Sequence, residues 1–235
     1  MRLLAFDTAT PATAVALVAD GGRAEARHDP EPGERPGHAR EVLALAGRLL
    51  DAAGLRFADL DRIAVGTGPG TFTGLRIGVA TARALAQGSG AQLVGVSTLR
   101  ALAEGAHAAE RPAPGAAPTV IAVLDARRGE AFVAAWRAGE QVVAPVAVTP
   151  AVLGTLVKEA RPPWLAVGDG AVRFRAVLEP SGATVPADGS PLHRVSALCV
   201  ADLAAEERPT GRDVVPEYLR LPDAEIALRE RRPEP

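Results

Sequence analysis

The sequence is poor in several of the residue types on which chemistry most often rests. Its 235 residues include one cysteine, Cys199, and one lysine, Lys158. A single thiol excludes an internal disulfide and any zinc site built from several thiolates. A single lysine leaves one weak candidate for Schiff-base chemistry or for the lysine of a phosphate-binding loop. The four histidines, His28, His38, His107 and His193, include no pair four residues apart and have no cysteine near them. Aromatic residues make up 3% of the chain, so the core must be built from Ala, Val and Leu. An excess of either charge is missing too: Lys+Arg 26 against Asp+Glu 28 gives a net charge of −2. That balance argues against a basic nucleic-acid-binding surface as the main feature. No run approaches the roughly 18 uncharged apolar residues of a membrane span. Met1–Asp7 reaches a charge too early for a secretory signal, so a cytoplasmic protein is expected.

What remains is an ordinary core-forming composition, 48% hydrophobic and 23% charged. Short apolar strands are expected at Leu3–Phe6 and Ala14–Val18, with a more polar third strand near Arg23–Arg27 after a turn at Gly21-Gly22. Val42, Leu43, Ala46, Leu49, Leu50 and Ala53 recur three and four apart, which predicts a helix over 38–53 stopped by Gly54. A strand at Ile63–Val65, a helix over 73–87 and a strand at Leu93–Val96 follow. The second half repeats the pattern. Ile121–Asp125 before a turn and Ala131–Trp136 mirrors Leu3–Asp7 before its own turn and strand, and Gly168-Asp169-Gly170 mirrors Gly66-Thr67-Gly68. A repeated unit of about 100 residues predicts two pseudo-equivalent lobes around a cleft. The first lobe is expected over 1–107 and the second over 118–235, with the Pro/Ala-rich 108–117 as linker and the last helix free to pack back on the first lobe. The polar stretch 29–36 is a loop, and 229–235 is expected to fray.

Three features are candidate sites. Asp7 and Asp125 end equivalent strands, where two readings stay open: hydrogen bonding to their own turns, or facing a nucleotide phosphate across the cleft. Gly66-Thr-Gly-Pro-Gly-Thr-Phe-Thr-Gly74 puts glycines on alternate positions before a helix, with Thr71 or Thr73 as cap. It either lets backbone amides approach a ligand or forms a tight turn without one. It is neither a Walker loop nor a dinucleotide fingerprint. Gly74, Gly78, Ala82 and Ala86 then recur every fourth residue, and only Arg76 and Arg83 are charged in that helix. Such a smooth stripe suits either internal packing or a subunit contact assisted by the helix that His38 opens. The charged turn Asp125–Glu130 reads most simply as a solvated hairpin, and Cys199 as a buried spectator thiol.

These residues resemble the bacterial TsaB (YeaZ) family. The resemblance rests on Leu4–Thr10, on Ile63–Gly78 with its Gly-Pro-Gly-Thr-Phe-Thr-Gly-Leu-Arg run, and on Leu93–Ser97. Further matches are Leu124–Glu130, Gly168–Gly170 and Glu217–Arg220. The resemblance implies an α/β chain of the two-lobed actin/Hsp70/sugar-kinase, ribonuclease H-like fold with duplicated βββαβαβα lobes. It implies a non-catalytic scaffold that dimerises with its paralogue TsaD. With TsaE and ATP, that complex transfers a threonylcarbamoyl group to the adenosine beside the anticodon of tRNA. The two metal-ligating histidines of TsaD fall here on Thr98 and Leu102, so no metal and no catalytic residue are expected. No tightly bound cofactor is implied, only ATP or ADP at the interface of the complex. A homodimer is implied when TsaD is absent, with tRNA reached only indirectly. Contact residues implied on the two first-lobe helices are His38, Leu43, Leu50, Gly74, Arg76, Gly78 and Ala82. Asp7, Thr8, Gly68, Gly70, Thr71 and Asp125 would be vestiges of a phosphate-facing site. The alternatives are a small kinase resembling type III pantothenate kinase and a metallopeptidase-like protein. The first wants bare backbone where Thr8-Ala9-Thr10 carry side chains, and the second wants metal ligands. Direct tRNA binding by the chain alone is expected to be weak and salt-sensitive.

Overall fold

The computed structural model describes residues 1–31, 33–110, 118–159, 163–209 and 214–220. The chain folds around two five-stranded sheets of identical order. In the first, β1 (Leu3–Asp7) lies between β2 (Thr13–Ala19), antiparallel, and β4 (Arg62–Gly68), parallel; β3 (Gly22–His28) and β5 (Gln92–Ser97) form the edges. In the second, β6 (Thr119–Arg127) holds the central place between β7 (Glu130–Arg137) and β9 (Trp164–Val167), with β8 (Glu140–Val148) and β10 (Ala183–Thr184) outside them. The equivalence extends to register, since Asp7 pairs with Ala14 and Asp125 with Ala131. Both halves run βββαβαβα, the two-lobed actin/Hsp70/sugar-kinase arrangement.

Side-chain alternation explains the layering. Along β1, Leu4 and Phe6 point into one core with Val42, Leu45, Ala46 and Leu50 of α1 (His38–Ala52) and Val79 and Ala82 of α2 (Phe72–Ser89). Leu3 and Ala5 point the other way, into a core shared by both lobes. Strands buried on both faces must read as continuous apolar runs, which is why Leu3–Phe6 and Val120–Leu124 do. The shared core holds two helices. One is α3 (Thr98–Glu110), which packs on β6 and β7 of the second sheet; the other is α7 (Ala197–Glu206), which packs on β1 and β2 of the first. Ala101, Ala103, Ala106, Ala122, Ala134, Ala201 and Ala204 line it, so with few aromatics the sheets and helices close by small side chains. The outer face of the second sheet is covered by α4 (Pro150–Glu159) and by the short helices α5 (Asp169–Arg173) and α6 (Arg175–Leu178).

Local chemistry sets the turns. Asp20-Gly21, Arg128-Gly129 and Ala138-Gly139 each join two antiparallel strands with positive φ at both positions, the type I′ geometry that wants glycine second. The first turn therefore falls on Asp20-Gly21, one residue before the expected Gly21-Gly22, because Gly22 is needed to pair with Ala19. Gly54 (φ +66) and Gly90 (φ +76) end α1 and α2 in left-handed conformations. The expected boundary at 107 lies inside α3, which runs on to Glu110; residues 111–117 of the expected linker and residues 229–235 lie outside the described residues. Among the described residues no helix is long and apolar enough to cross a membrane.

Arg62 fastens the crossed-over helix. From the first residue of β4 its Nη1 donates to the carbonyls of Ala204, Ala205 and Glu207 at the end of α7, and its Nη2 to Gln92 Oε1 at 3.1 Å. A guanidinium there satisfies carbonyls that no helical amide can reach. Replacing it with an apolar chain, Arg62→Met, is expected to lower the unfolding free energy by about 1.5–3 kcal/mol, the range for hydrogen bonds to a charged group. Urea denaturation of the two proteins measures this, and an unchanged midpoint would mean that α7 is held by its apolar face alone.

Candidate functional site

The glycine-rich segment folds against the chain itself. A Cβ placed on Gly66 would stand 1.8 Å from Asp7 Oδ2, on Gly70 2.4 Å from the Ala9 carbonyl oxygen, and on Gly74 2.0 Å from that of Thr8. Gly68, at φ +108, would meet Leu75 at 3.0 Å. The close approach permitted at Gly66, Gly70 and Gly74 is thus to Asp7 and the β1–β2 turn, and that at Gly68 is to Leu75 and the Glu217 carbonyl, so Gly68 and Gly70 present no open cradle to a phosphate. The turn is fixed in return: Thr71 N donates to Ala9 O at 2.7 Å, and Thr8 Oγ1 donates to Gly74 O at 2.8 Å. Thr8 is fully buried by this contact and faces no cleft. Thr71 sits at the start of α2 in extended conformation, but its side chain accepts no helical amide.

Asp7 is also internal, at 1% exposure. Its Oδ1 accepts Ala9 N at 2.8 Å, and its Oδ2 accepts the Thr98 hydroxyl at 2.7 Å. Thr98 Oγ1 in turn accepts Gly68 N at 3.1 Å. Burial pushes the Asp7 carboxyl up, against the opposing pull of those two hydrogen bonds and of Arg27. The hydrogen-bonding reading of Asp7 is therefore the one realised; Thr98, at the first of the two expected ligand positions, is committed to it, and Leu102, at the second, is buried apolar core. Sequence reasoning missed Thr98 as the second holder of Asp7, and nothing in its local spacing marks it.

Asp125 differs from its counterpart. Its Oδ1 accepts Arg127 N at 2.9 Å, the same i+2 contact, but its Oδ2 meets Arg127 Nη1 at 3.3 Å and Arg173 Nη1 at 2.8 Å. Its own amide donates to Asp169 Oδ1 at 3.0 Å. Burial, then the charge of Asp125, push the Asp169 carboxyl up. Between the lobes lies a pocket of about 250 Å³ whose walls include Thr10, Pro11, Arg27, Asp29, Asp169 and His193. That is smaller than the ~300–1,000 Å³ usual for ligand pockets. Arg27 there is paired with Asp29 at 3.0 Å, and His193 Nδ1 accepts Gly168 N.

The helix residues expected at a partner interface separate by face. Leu50, Gly74, Gly78 and Ala82 are buried: Leu50 and Ala82 lie in the first-lobe core, and a Cβ on Gly78 would stand 2.3 Å from Thr8 Oγ1. The every-fourth-residue stripe is therefore packed on the β1–β2 turn and is not an outward face. His38 is buried as well, its Nδ1 2.8 Å from Thr13 Oγ1, and burial followed by the nearby His28 holds its pKa down. Leu43 and Arg76 do face outward. Arg76 lies over the Phe72 ring at 3.8 Å and donates to the Tyr218 hydroxyl at 3.2 Å. Tyr218 belongs to a segment, 214–220, that bridges the lobes: Glu217 N donates to Thr67 O, Leu219 packs on the shared core, and Arg220 pairs with Glu130 at 3.0 Å.

Comparison with known proteins agrees with this geometry. A family model described as TsaD, tRNA N6-adenosine threonylcarbamoyltransferase, matches residues 30–155. The tRNA threonylcarbamoyladenosine biosynthesis protein TsaB of Escherichia coli is 34% identical over 175 residues, 72% of either chain. The solved structure of YeaZ from Pseudomonas aeruginosa superposes with a TM-score of 0.72 at 27% identity, covering 93% of this chain and 99% of that one. The chain belongs to the TsaB (YeaZ) family. An uncharacterized protein of Mycobacterium tuberculosis is similar over nearly the whole length, 36% identical over 94% of this chain and 93% of its own. Curated members of the TsaB family are named for tRNA threonylcarbamoyladenosine biosynthesis.

Two measurements test the TsaB-family turn. Asp7 is harder to ionise folded than unfolded, where its pKa is about 3.9. The stability that comes from the neutral form is complete below that value and is lost as pH rises through the folded one. Wild-type stability relative to Asp7→Asn is therefore expected to fall as pH is raised from about 4 towards neutrality; a difference flat in pH would mean that the carboxyl is not desolvated. Gly78→Ala would gain about 1 kcal/mol of helix propensity, yet the collision with Thr8 Oγ1 should cost about 1–3 kcal/mol and prevail. Thr8→Ala removes the obstructing oxygen, so the double variant should be more stable than the sum of the singles by about 1 kcal/mol or more. Additive effects in a denaturation cycle would remove the contact from the account.

Proposed function

We propose that the chain is the scaffold and activator subunit of the complex that places a threonylcarbamoyl group on the adenosine beside the anticodon of tRNA. It docks TsaD through the outer face of α1 and α2, with Arg76 at one margin. The observation that carries this reading is the division of labour on those helices. Their inner faces are consumed by the fold, whereas Leu43, at 47% exposure, stands on the outside, and Ala39, Ala44, Ala80 and Ala84 are exposed on the same two helices. Small apolar residues on two adjacent helices allow a partner's helices to approach closely. A non-catalytic role is supported by the commitment of Thr98 and Leu102 to packing, and by the filling of the first-lobe turn with Thr8 where a kinase would need bare backbone. Catalysis then belongs to TsaD, TsaE acts with ATP, and ATP or ADP is met at the interface of the complex without a tightly bound cofactor here. In the absence of TsaD the same face closes on a second copy of the chain.

Size-exclusion chromatography with light scattering, on the chain alone and mixed with TsaD from the same source, tests this together with an ATPase assay on each fraction. A one-to-one complex with ATPase only when TsaD is present is expected. Leu43→Arg should weaken that complex at least tenfold, as expected for a charge placed in an apolar contact, while leaving stability within about 0.5 kcal/mol. Full retention of the complex by Leu43→Arg would place the interface elsewhere. Phosphoryl transfer by the chain alone would replace this reading with that of a small kinase.

A further inference from the structure

The side chain that hydrogen-bonds the first turn of α1 to the first sheet is an imidazole. Gly37, ahead of the helix, offers no side chain as a cap, and the Arg40 and Glu41 amides reach back to its carbonyl, both at 3.0 Å. His38, the first helical residue, is buried, and its Nδ1 lies 2.8 Å from the hydroxyl oxygen of Thr13, which is buried too. Thr13 pairs with His28 across the β2–β3 ladder, so the two histidines flank one threonine. His28 is half-buried there.

A proton on the His38 ring is opposed from several sides. The site is desolvated, His28 adds like-charge repulsion, and the helix presents its positive end where it begins. His38 is therefore harder to protonate folded than unfolded, where its pKa is about 6.5. The stability that comes from the neutral form is complete above that value and is lost as pH falls through the folded one. The carboxylates that sense His28 are already engaged. Asp29 is held by Arg27 at 3.0 Å, with Arg194 at 3.8 Å, and Glu41 is held by Arg40 at 2.7 Å, with Arg48 acting on it as well. The charged residues of β3, Arg23, Glu25 and Arg27, reach Asp202, the Ala197 amide and the Val195 carbonyl on the face opposite α1. β2 carries no charged residue, and Glu31, Glu34 and Arg35 of the loop before α1 are exposed. On α2, Arg76 and Arg83 turn to Tyr218 and the Val214 carbonyl.

We propose that His28 and His38 form an acid-sensitive latch, which closes the first turn of α1 on β2 and β3 when neutral and releases it when protonated. The released turn leads directly into Ala39 and Leu43. Acid therefore also weakens docking of TsaD, a consequence that rests on the function proposed above, whereas the latch itself does not.

Hydrogen exchange of the full chain between about pH 7.5 and 5.5, read by mass spectrometry and corrected for intrinsic exchange rates, tests the latch. Peptides from 38–46 are expected to lose protection several-fold in acid, and peptides from β6 and β7 to keep theirs. His38→Gln should abolish that pH dependence, and His28→Gln, which removes the repulsion at a half-buried position, should reduce it. The second variant decides the matter should the first fail to fold. Equal protection of α1 at both pH values overturns the proposal, as does a loss undiminished in the variants. A loss shared equally by β6 and β7 overturns it as well, because the whole chain is then unfolding. Light scattering of the same proteins mixed with TsaD separates the two readings. A complex that weakens in acid for the wild type, and less so for His28→Gln, is expected. No complex at either pH removes the proposed function, and the exchange measurement still decides the latch.

Discussion

The buried Asp7 carboxylate is the constraint on which the first lobe depends. It ends β1, accepts the amide that closes the β1–β2 turn, and accepts the hydroxyl that opens α3. The space around it is so small that β4 must carry glycine at position 66 to pass. One side chain thereby locates a strand, a turn, a neighbouring strand and a helix that belongs to the interlobe core. The glycines at 70, 74 and 78 extend the same close packing along Thr8 and Ala9. α2 can approach the turn because the positions it sets against Thr8, Gly74 and Gly78, carry no side chain. Desolvating a carboxylate opposes folding unless its oxygens are hydrogen-bonded, and here the Ala9 amide and the Thr98 hydroxyl supply those bonds.

The duplicated carboxylates show how one topology has been put to two uses. Asp7 and Asp125 occupy equivalent ends of equivalent strands and accept the same i+2 amide. In the first lobe a threonine and a wall of glycines then close over the carboxylate. In the second, two arginines approach from the solvent side and hold it at the surface. The consequence is mechanical in one lobe and electrostatic in the other. The first turn is rigid, apolar and inaccessible, a support for the helices on its far side, whereas the second turn displays charge.

Much of the fold was legible because strand burial and turn chemistry leave local signatures. Runs such as Leu3–Phe6 and Ile121–Leu124 announce strands covered on both faces, and the charged turn within Asp125–Glu130 announces a hairpin, whereas the first hairpin is read one residue late and the one at Ala138-Gly139 is not read at all. The repeat of a strand ending in Asp revealed the duplication. Less was legible at the site, for a physical reason. A small residue every fourth position says that something approaches closely, but not whether that something is a partner's helix or the chain's own turn 66 residues away, as Gly74 and Thr8 prove to be. Leu43 and Leu50 are seven residues apart and read alike by spacing, yet the first is exposed and the second is core. Which leucine faces inward is decided by the sheet beneath, and spacing along α1 does not contain it. Thr98 carried no signal at all, because its partner lies 91 residues away.

The exchange of helices between the lobes explains why the outer face of α1 and α2 is available for a partner. α3, from the first half, covers the second sheet, and α7, from the second half, covers the first. Each lobe is therefore completed from the inside by the other half of the chain, through a core of small residues and through the Arg62 contacts that close the end of α7. With the interior faces paired in this way, the helices on the far side of the first sheet join the interlobe contacts through α2, whose Arg76 and Arg83 donate to Tyr218 and to the Val214 carbonyl of the bridging segment. Leu43 and the exposed alanines of α1 and α2 are not the residues that make those contacts, so the fold tolerates them there without drawing on them. Leu43 and those alanines, on helices seated against the first sheet, are the residues that the proposed docking of TsaD would use.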